Sequence, residues 1–417
     1  MVMSALFTQI FVAVIVVSLA IRVWLALRHI RHIQQHRQQV PAAFNQTISL
    51  EAHQRAADYT TAKVKLRLNE TVMEAIILLA LTLGGVLQLL DQAWQQWLPA
   101  HDIIRGALVI CSAMLISGAA TLPFDYIQTF NVDEKFGFNK MSRGMFFGDL
   151  VKHTIVGLLL GGPILFIALW LMQGAGDWWW LYLWLIWSAF NLFMLAVYPI
   201  WIAPLFNKFT PMQDQSLKAR IEALLQKCGF ASQGLFVMDG STRSGHGNAY
   251  FTGFGKNKRV VFFDTLLEKL SADEIEAVLA HELGHFKHQH VIKRIVMMFG
   301  LSLLGLALLG YLIKQEWFFT GLGVADASNH MALLLFVLVS PVFMFILRPL
   351  MAAYSRTNEF EADHYAAQQS KPQFLIDALV KLYRDNASTL TPDPLHSAFY
   401  DSHPPASLRI AKLQTYA

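Results

Sequence analysis

The sequence predicts a mainly α-helical, multi-spanning membrane protein with about seven transmembrane helices and a small β-hairpin or sheet in one of its polar segments. Composition points there first: 55% of the 417 residues are apolar, with 33 Lys and Arg and 29 Asp and Glu, a charged share of 15% where soluble chains average about 25%. The mean hydropathy is +0.40. The charge is also missing in blocks of about twenty residues, the length at which a helix rising ~1.5 Å per residue crosses a ~30 Å hydrocarbon core. Such a chain is not disordered, collagen-like or a disulfide-stapled secreted scaffold. Its two cysteines, Cys111 in an apolar block and Cys228 in a polar one, stand at different depths and fit a reducing compartment.

Seven stretches meet the length, at roughly 5–27, 72–90, 104–122, 153–172, 178–203, 292–313 and 331–350. Only Gln173-Gly-Ala-Gly-Asp177 divides the fourth from the fifth. The first does not read as a cleavable signal, because it is too long, no basic residue precedes it, and Arg28-His-Ile-Arg31 follows it. Loops rich in Lys and Arg stay in the cytoplasm. Arg28, Arg31, Arg37, Arg55, Lys63, Lys65 and Arg67 lie between the first two spans, and Lys135, Lys140, Arg143 and Lys152 between the third and fourth. The segment from Lys208 to Lys287 is basic too, whereas the opposite loops, about 91–103, 173–177 and 314–330, hold only Lys314. The N-terminus is therefore expected outside and the C-terminus in the cytoplasm, which an odd number of spans satisfies. The net charge of +4 is a topology signal, not the clustered basic face of a nucleic-acid binder.

Three stretches, 28–70, 205–290 and 354–417, are too polar to span and fall on the cytoplasmic side. The chain then divides into a membrane region of about five helices and their loops (1–204), a cytoplasmic segment (205–290), two further spans (291–353) and a C-terminal cytoplasmic segment (354–417). Residues 216–228 read as an amphipathic helix with Ile221, Leu224 and Leu225 on one side. Leu235-Phe-Val-Met238 reads as a strand. The β-prone runs Asn248–Phe254 and Arg259–Phe263 flank Gly255-Lys-Asn-Lys258, the chemistry of a hairpin turn. An exposed hairpin edge can hold an extended peptide by strand addition, although the hairpin taken alone favours an ordinary one. A helix follows with a capping box, Ser271 with Glu274 three residues on, and with Asp273, Glu274 and Glu276 where the dipole favours negative charge. Ile275, Val278 and Leu279 give its buried face.

This helix carries His281-Glu-Leu-Gly-His285. Residues four apart point from one helix face, so the two imidazoles can share one ion, while Glu282 is offset toward a water on that ion. Two His ligands, a third protein ligand, an open position and a carboxylate base make a zinc hydrolase holding one Zn2+ per chain. The bland alternative is a solvated histidine-rich helix, since His288 and His290 follow closely. A third ligand is expected from Asn358-Glu-Phe-Glu-Ala-Asp363, just past the last span. Glu359 can ligate there while Asp363, four residues on, orients a ligand imidazole. Glu361 and His364 compete. Glu361 points about 160–200° away from Glu359 on a helix, so only one of the two binds, and spacing leaves the choice open. From another class, a transporter or scaffold with metal-binding histidines would line several spans with polar residues, yet Glu74 and Asn191 are among the few inside them. A protease cutting within the bilayer would bury its motif in an apolar span, whereas Asp273, Glu274, Lys287 and His288 flank this one.

The motif at His281 followed by Glu359-Phe-Glu-Ala-Asp363 resembles the gluzincin pattern, and the chain from about residue 120 onward is similar to the type I CAAX prenyl protease family of integral membrane zinc endopeptidases. The resemblance rests on Leu122-Pro-Phe124, Glu134-Lys-Phe-Gly-Phe-Asn-Lys140, Ile202-Ala-Pro-Leu-Phe-Asn-Lys208, Asn248-Ala-Tyr-Phe-Thr-Gly253, Phe263-Asp-Thr-Leu266 and Ser402-His-Pro-Pro405, in that order. It implies seven transmembrane helices enclosing a water-filled chamber, with the zinc site facing the interior near the cytoplasmic side. It also implies His281, His285 and Glu359 as zinc ligands, Asp363 as the partner behind them, and Glu282 as the catalytic carboxylate. Asn248 and Ala249 would lie along bound peptide. His403 would stand near the reacting carbonyl, where it can stabilise an oxyanion. Its alternative is a turn residue before Pro404-Pro405. The partners so implied are membrane lipid and a peptide or protein substrate, either a prenylated C-terminal tail or a damaged or stalled membrane protein.

Overall fold

The computed structural model describes residues 1–230, 234–252 and 259–416. The chain opens with α1 (Val2–Gln35), α2 (Leu50–Leu81), α3 (Val86–Trp97), α4 (Asp102–Ile127), α5 (Arg143–Gly174) and α6 (Trp179–Val197). Next come β1 (Phe209–Pro211), α7 (Gln215–Lys227), β2 (Leu235–Met238), β3 (Ala249–Thr252), β4 (Arg259–Phe263), the single turn α8 (Asp264–Leu267) and α9 (Ala272–Lys287). The rest is helical: α10 (His290–Leu312), α11 (Glu316–Thr320), α12 (Asn329–Met344), α13 (Arg348–Gln369), α14 (Pro372–Asp385), α15 (Pro394–Tyr400) and α16 (Ala406–Gln414).

Among the described residues six helical stretches are long and apolar enough to cross a membrane, and α2 with α3, bent by 53°, makes a seventh. The bend departs from the single span expected over 72–90. Thr82 ends α2 with its hydroxyl donating to the Leu78 carbonyl at 2.6 Å, and Gly84 N–H donates to Leu79 O at 2.8 Å. Gly85 then turns left-handed at φ 78 before α3 begins. A hydropathy window averages over this stop because Thr and Gly are apolar enough to pass, while Gly85 supplies the backbone that ends a helix. The polar stretch 28–70 is mostly helix as well: α1 and α2 run beyond their apolar windows and carry the basic residues there. In the same way α12 passes through a 3-10 turn at Phe345–Leu347 into α13, which carries Glu359.

The spans bury only 6–39% of their apolar windows inside the protein. Their remaining faces divide between lipid and a wet interior, where Arg22, Lys63, Arg67, Asp125 and Arg348 line a cavity of about 680 Å³ between α1, α2, α4 and α13. Charged side chains in a membrane bundle are tolerated on such a cavity and not on the lipid face. The bundle is thus a wall around a chamber.

The sheet runs β1-β2-β4-β3, with β2 parallel to β4 and the outer pairs antiparallel. The expected hairpin is present, Ala249 opposite Phe262, with β3 at the sheet edge. Its expected turn, Gly255 to Lys258, lies outside the described residues, as do Gly253 and Phe254. One face of the sheet joins the apolar stripe of α7 (Leu217, Ile221, Leu224) and α9 (Ile275, Leu279) in a single core, which α14 and α16 close with Leu379 and Ile410.

Candidate metal centre

Helix α9 is fixed at its start and pressed against α13 at its end. The capping box is complete: Ser271 Oγ accepts from Glu274 N–H at 3.4 Å, and Glu274 Oε2 accepts from Ser271 N–H at 2.6 Å. Lys381 of α14 holds the same carboxylate at 2.7 Å. At the other end Gly284 meets Ala362, where a Cβ on Gly284 would lie 2.8 Å from the Ala362 Cα. The glycine inside His281-Glu-Leu-Gly-His285 and the alanine inside Glu359-Phe-Glu-Ala-Asp363 therefore let two helix backbones touch, and that contact brings the two motifs face to face.

There His281 Nε2 lies 3.4 Å from Glu359 Oε2, and His285 Nε2 lies 3.4 Å from Glu359 Oε1. The three residues offer ligand atoms all within 4.8 Å of one another, the one such group of His, Cys, Asp or Glu among the described residues. Two ligands each ~2.0–2.1 Å from a tetrahedral zinc stand about 3.3–3.4 Å apart, so the spacing suits that ion. Glu359 Oε2 is buried and makes no hydrogen bond. A buried carboxylate oxygen without a donor is costly, and a cation at this point would relieve it.

Asp363 Oδ1 stands 2.8 Å from His281 Nδ1, behind the nitrogen that faces Glu359. Arg409 of α16, a residue the sequence reading passed over, grips Asp363 with two bonds of 2.8 and 2.6 Å and sits 3.7 Å from Glu359 Oε2. A signal for it existed: Ala406, Ile410 and Leu413 form the buried stripe of α16, and Arg409 is a charge set within that stripe. Arg356, one turn before Glu359, donates to the carbonyls of Ser397 and Asp401 at 3.3 and 2.9 Å, tying the end of α15 to α13. That bond steadies the loop carrying His403, whose Nε2 lies 3.4 Å from Glu359 Oε1 and whose Nδ1 lies 3.1 Å from Ser402 Oγ.

Burial raises the Glu282 carboxyl above the ordinary range, against the pull of the His281 and His285 imidazoles. A carboxyl so placed can both take and return a proton. Glu361 and His364 stay outside the cluster. Glu361 Oε2 is 2.9 Å from His290 Nε2 on another face of α13, and His364 is exposed beside Gln368. Asn248 and Ala249 lead into the edge strand. Phe263 N–H donates to Asn248 O at 2.9 Å, so in an antiparallel ladder the next N–H, that of Ala249, points away from the sheet. It is held by the Asn248 side-chain oxygen at 2.9 Å.

Known proteins resemble the chain over most of its length. Residues 29–208 match the family model described as CAAX prenyl protease N-terminal, five membrane helices, and residues 211–417 match Peptidase family M48. The chain is 35% identical to a CAAX prenyl protease 1 homolog of Oryza sativa subsp. japonica over 92% of each protein. It is 34% identical to CAAX prenyl protease 1 of Saccharomyces cerevisiae, over 75% of this chain and 73% of that one. The crystal structure of S. mikatae Ste24p superposes with a TM-score of 0.91 at 27% identity, covering 98% of this chain and 99% of that one.

Proposed function

This chain belongs to peptidase family M48, among the CAAX prenyl proteases of type 1, and from that premise we propose that it is a membrane-embedded zinc endopeptidase whose ion is held by His281, His285 and Glu359. The observation that carries this is the convergence of those three side chains from α9 and α13 on one point, with Glu282 beside it. The segments 205–290 and 354–417 act as one catalytic unit on the membrane region. Lys and Arg are concentrated in the loops on that side, which supports placing it in the cytoplasm with the N-terminus outside.

Bound zinc supplies Lewis acidity toward the scissile carbonyl and a water that loses its proton near neutral pH. The protein's own groups do the rest. Glu282 takes the proton of the attacking water and delivers it to the departing amine nitrogen, a task its raised pKa suits. His403 Nε2 donates to the oxyanion as the carbonyl becomes tetrahedral, and Asp363 with Arg409 keeps the His281 ring aimed at the ion. An extended peptide lies antiparallel on β3, exchanging the Asn248 side-chain bond to Ala249 N–H for one to its own carbonyl.

The substrate we favour is the C-terminal tail of a prenylated protein, as the relatives' name suggests; clearance of unmodified membrane proteins is the alternative. The test is to purify the protein in detergent, measure bound zinc, and assay a farnesylated peptide beside its unmodified twin. Glu282→Gln is expected to keep zinc and lose cleavage by 10²-fold or more. Equal cleavage by this variant would sink the mechanism, and equal rates on the two peptides would favour the broader substrate class.

A further inference from the structure

Both imidazoles of the ligand cluster turn their Nε2 atoms toward Glu359, which leaves each Nδ1 facing outward. The outward nitrogen of His281 rests directly on Asp363. That of His285 rests on a second imidazole: His290 Nδ1 is 2.9 Å away, and His290 Nε2 is in turn 2.9 Å from Glu361 Oε2. From this geometry we infer that His290 is a positioning residue that holds the His285 ring in its ligating orientation, and that Glu361 fixes the tautomer which lets it do so. The inference rests on the metallopeptidase reading above.

Local backbone explains how His290 gets there. Helix α9 stops at Lys287, and Gln289 adopts φ 58 and ψ 29, a left-handed conformation uncommon for a residue with a Cβ. The chain folds back on itself, so the first residue of α10 is buried against the end of α9, its ring 5.2 Å from that of His285. Left-handed conformations at non-glycine residues persist where the surroundings over-determine them. Here the chain of bonds from α9 through α10 to α13 does so.

The proton count allows one arrangement. A neutral imidazole that offers its Nε2 lone pair to a cation carries its proton on Nδ1. That N–H of His285 donates to His290 Nδ1, which must accept and is therefore unprotonated. The proton of His290 then sits on Nε2 and donates to the Glu361 carboxylate. With Glu361 unable to accept, His290 is free to take the other tautomer, two N–H groups face each other, and the His285 ring turns. Each ligand histidine is thereby anchored to a carboxylate, one directly and the other through an intervening ring that begins a membrane helix.

The experiment measures zinc affinity of the full-length protein in detergent by chelator competition, with the Co2+ absorption spectrum as a second readout. His290→Leu is expected to weaken zinc by 10–100-fold and alter the Co2+ spectrum while leaving the metal-free melting temperature in place. His290→Asn, whose Oδ1 falls where the imidazole Nδ1 stands, should recover affinity to within about threefold of wild type. Glu361→Ala should weaken zinc in the wild-type background and have no effect in His290→Leu. Affinity of His290→Leu within about threefold of wild type overturns the inference, as does an equal Glu361→Ala effect in both backgrounds. If His290→Leu does not fold, the Glu361→Ala and His290→Asn affinities decide on the same thresholds. Wild-type protein that takes up no zinc would bring down the metallopeptidase reading itself, a result separate from a relay variant that binds normally.

Discussion

Replacing Arg409 with methionine removes the cation that faces two carboxylates in a buried place. Asp363 is fully buried, and its partners are the Arg409 fork at 2.6 and 2.8 Å and the His281 ring at 2.8 Å. Breaking a buried pair by removing one member costs about 3–5 kcal/mol, because the remaining charge is left desolvated. His281 remains beside Asp363 and offsets part of that, so the lower end, about 3 kcal/mol, is the expected loss for Arg409→Met. A second effect follows at the metal: an Asp363 free to move no longer fixes the His281 ring, and zinc affinity should fall 10–100-fold. Lysine in place of arginine keeps the charge but not the two-pronged fork, and should fall between the two. The assay is thermal unfolding of metal-free protein together with chelator-competition affinities for Arg409→Met, Asp363→Asn and the double variant. Since the pair acts as a unit, the double variant should be more stable than the sum of the single losses by at least about 1 kcal/mol. A single variant within about 0.5 kcal/mol of wild type, with unchanged zinc affinity, would refute the claim that Arg409 holds this site together.

Three further outcomes follow from the same geometry. Gly284→Ala sets a Cβ 2.8 Å from the Ala362 Cα, an overpacking cost of about 1–3 kcal/mol against roughly 1 kcal/mol gained in helix propensity, and it should weaken zinc by spreading α9 from α13. The clash is with the Ala362 backbone, so Ala362→Gly should not relieve it, and unchanged zinc affinity in Gly284→Ala would mean that the contact does not set the ligand spacing. In the metal-free protein burial lowers the His281 pKa, but the Asp363 and Glu359 carboxylates beside it carry it up to about 9. Zinc must displace that proton, at a cost of about 3 kcal/mol at pH 7, so affinity should fall about tenfold per pH unit below 9. The raised pKa also contributes stability to the metal-free protein that is full below about pH 6.5 and lost as pH rises through 9. Calorimetry in buffers of different ionisation enthalpy should show about one proton released on zinc binding at pH 7, and none released would contradict this assignment. Ala249→Pro removes an outward N–H at the first residue of an edge strand, which the sheet tolerates. It should cut kcat/KM at least tenfold with zinc content unchanged, and an unaffected kcat/KM would remove β3 from substrate binding.

Much of the site was legible because it obeys local periodicity. The spacing of His281 and His285, the offset of Glu282 and the capping box at Ser271 are all properties of one helix, and the structure places them as a 3.6-residue repeat requires. Which of Glu359 and Glu361 faces α9 was different in kind. Both lie on α13, and their facing depends on how that helix is rotated against α9, which Gly284 and Ala362 settle by contact and not by pattern. Arg409 and Arg356 were missed for the same reason, since each acts across elements far apart in sequence, on Asp363 and on the carbonyls that end α15. Thr82 to Gly85 was a local signal overlooked: an apolar average hides a terminator made of small residues.

The division of labour in this chain follows from where charge can be kept. Lipid excludes it from the outer faces of the spans, and the interior admits it, so Arg22, Lys63, Arg67 and Arg348 stand on the cavity and not on the lipid face. The metal site needs a buried cluster of opposite kind, two imidazoles and three carboxylates within one helix pair, with a single guanidinium to balance it. A soluble protease can build such a cluster beneath its own surface. Here α13 continues the last membrane span, through the 3-10 turn at Phe345–Leu347, to Glu359 and Asp363, and α10 begins a span at His290. Of the three clustered side chains only Glu359 sits on a helix continuous with a membrane span, whereas His281 and His285 sit on α9, which reaches the bilayer through the turn into α10.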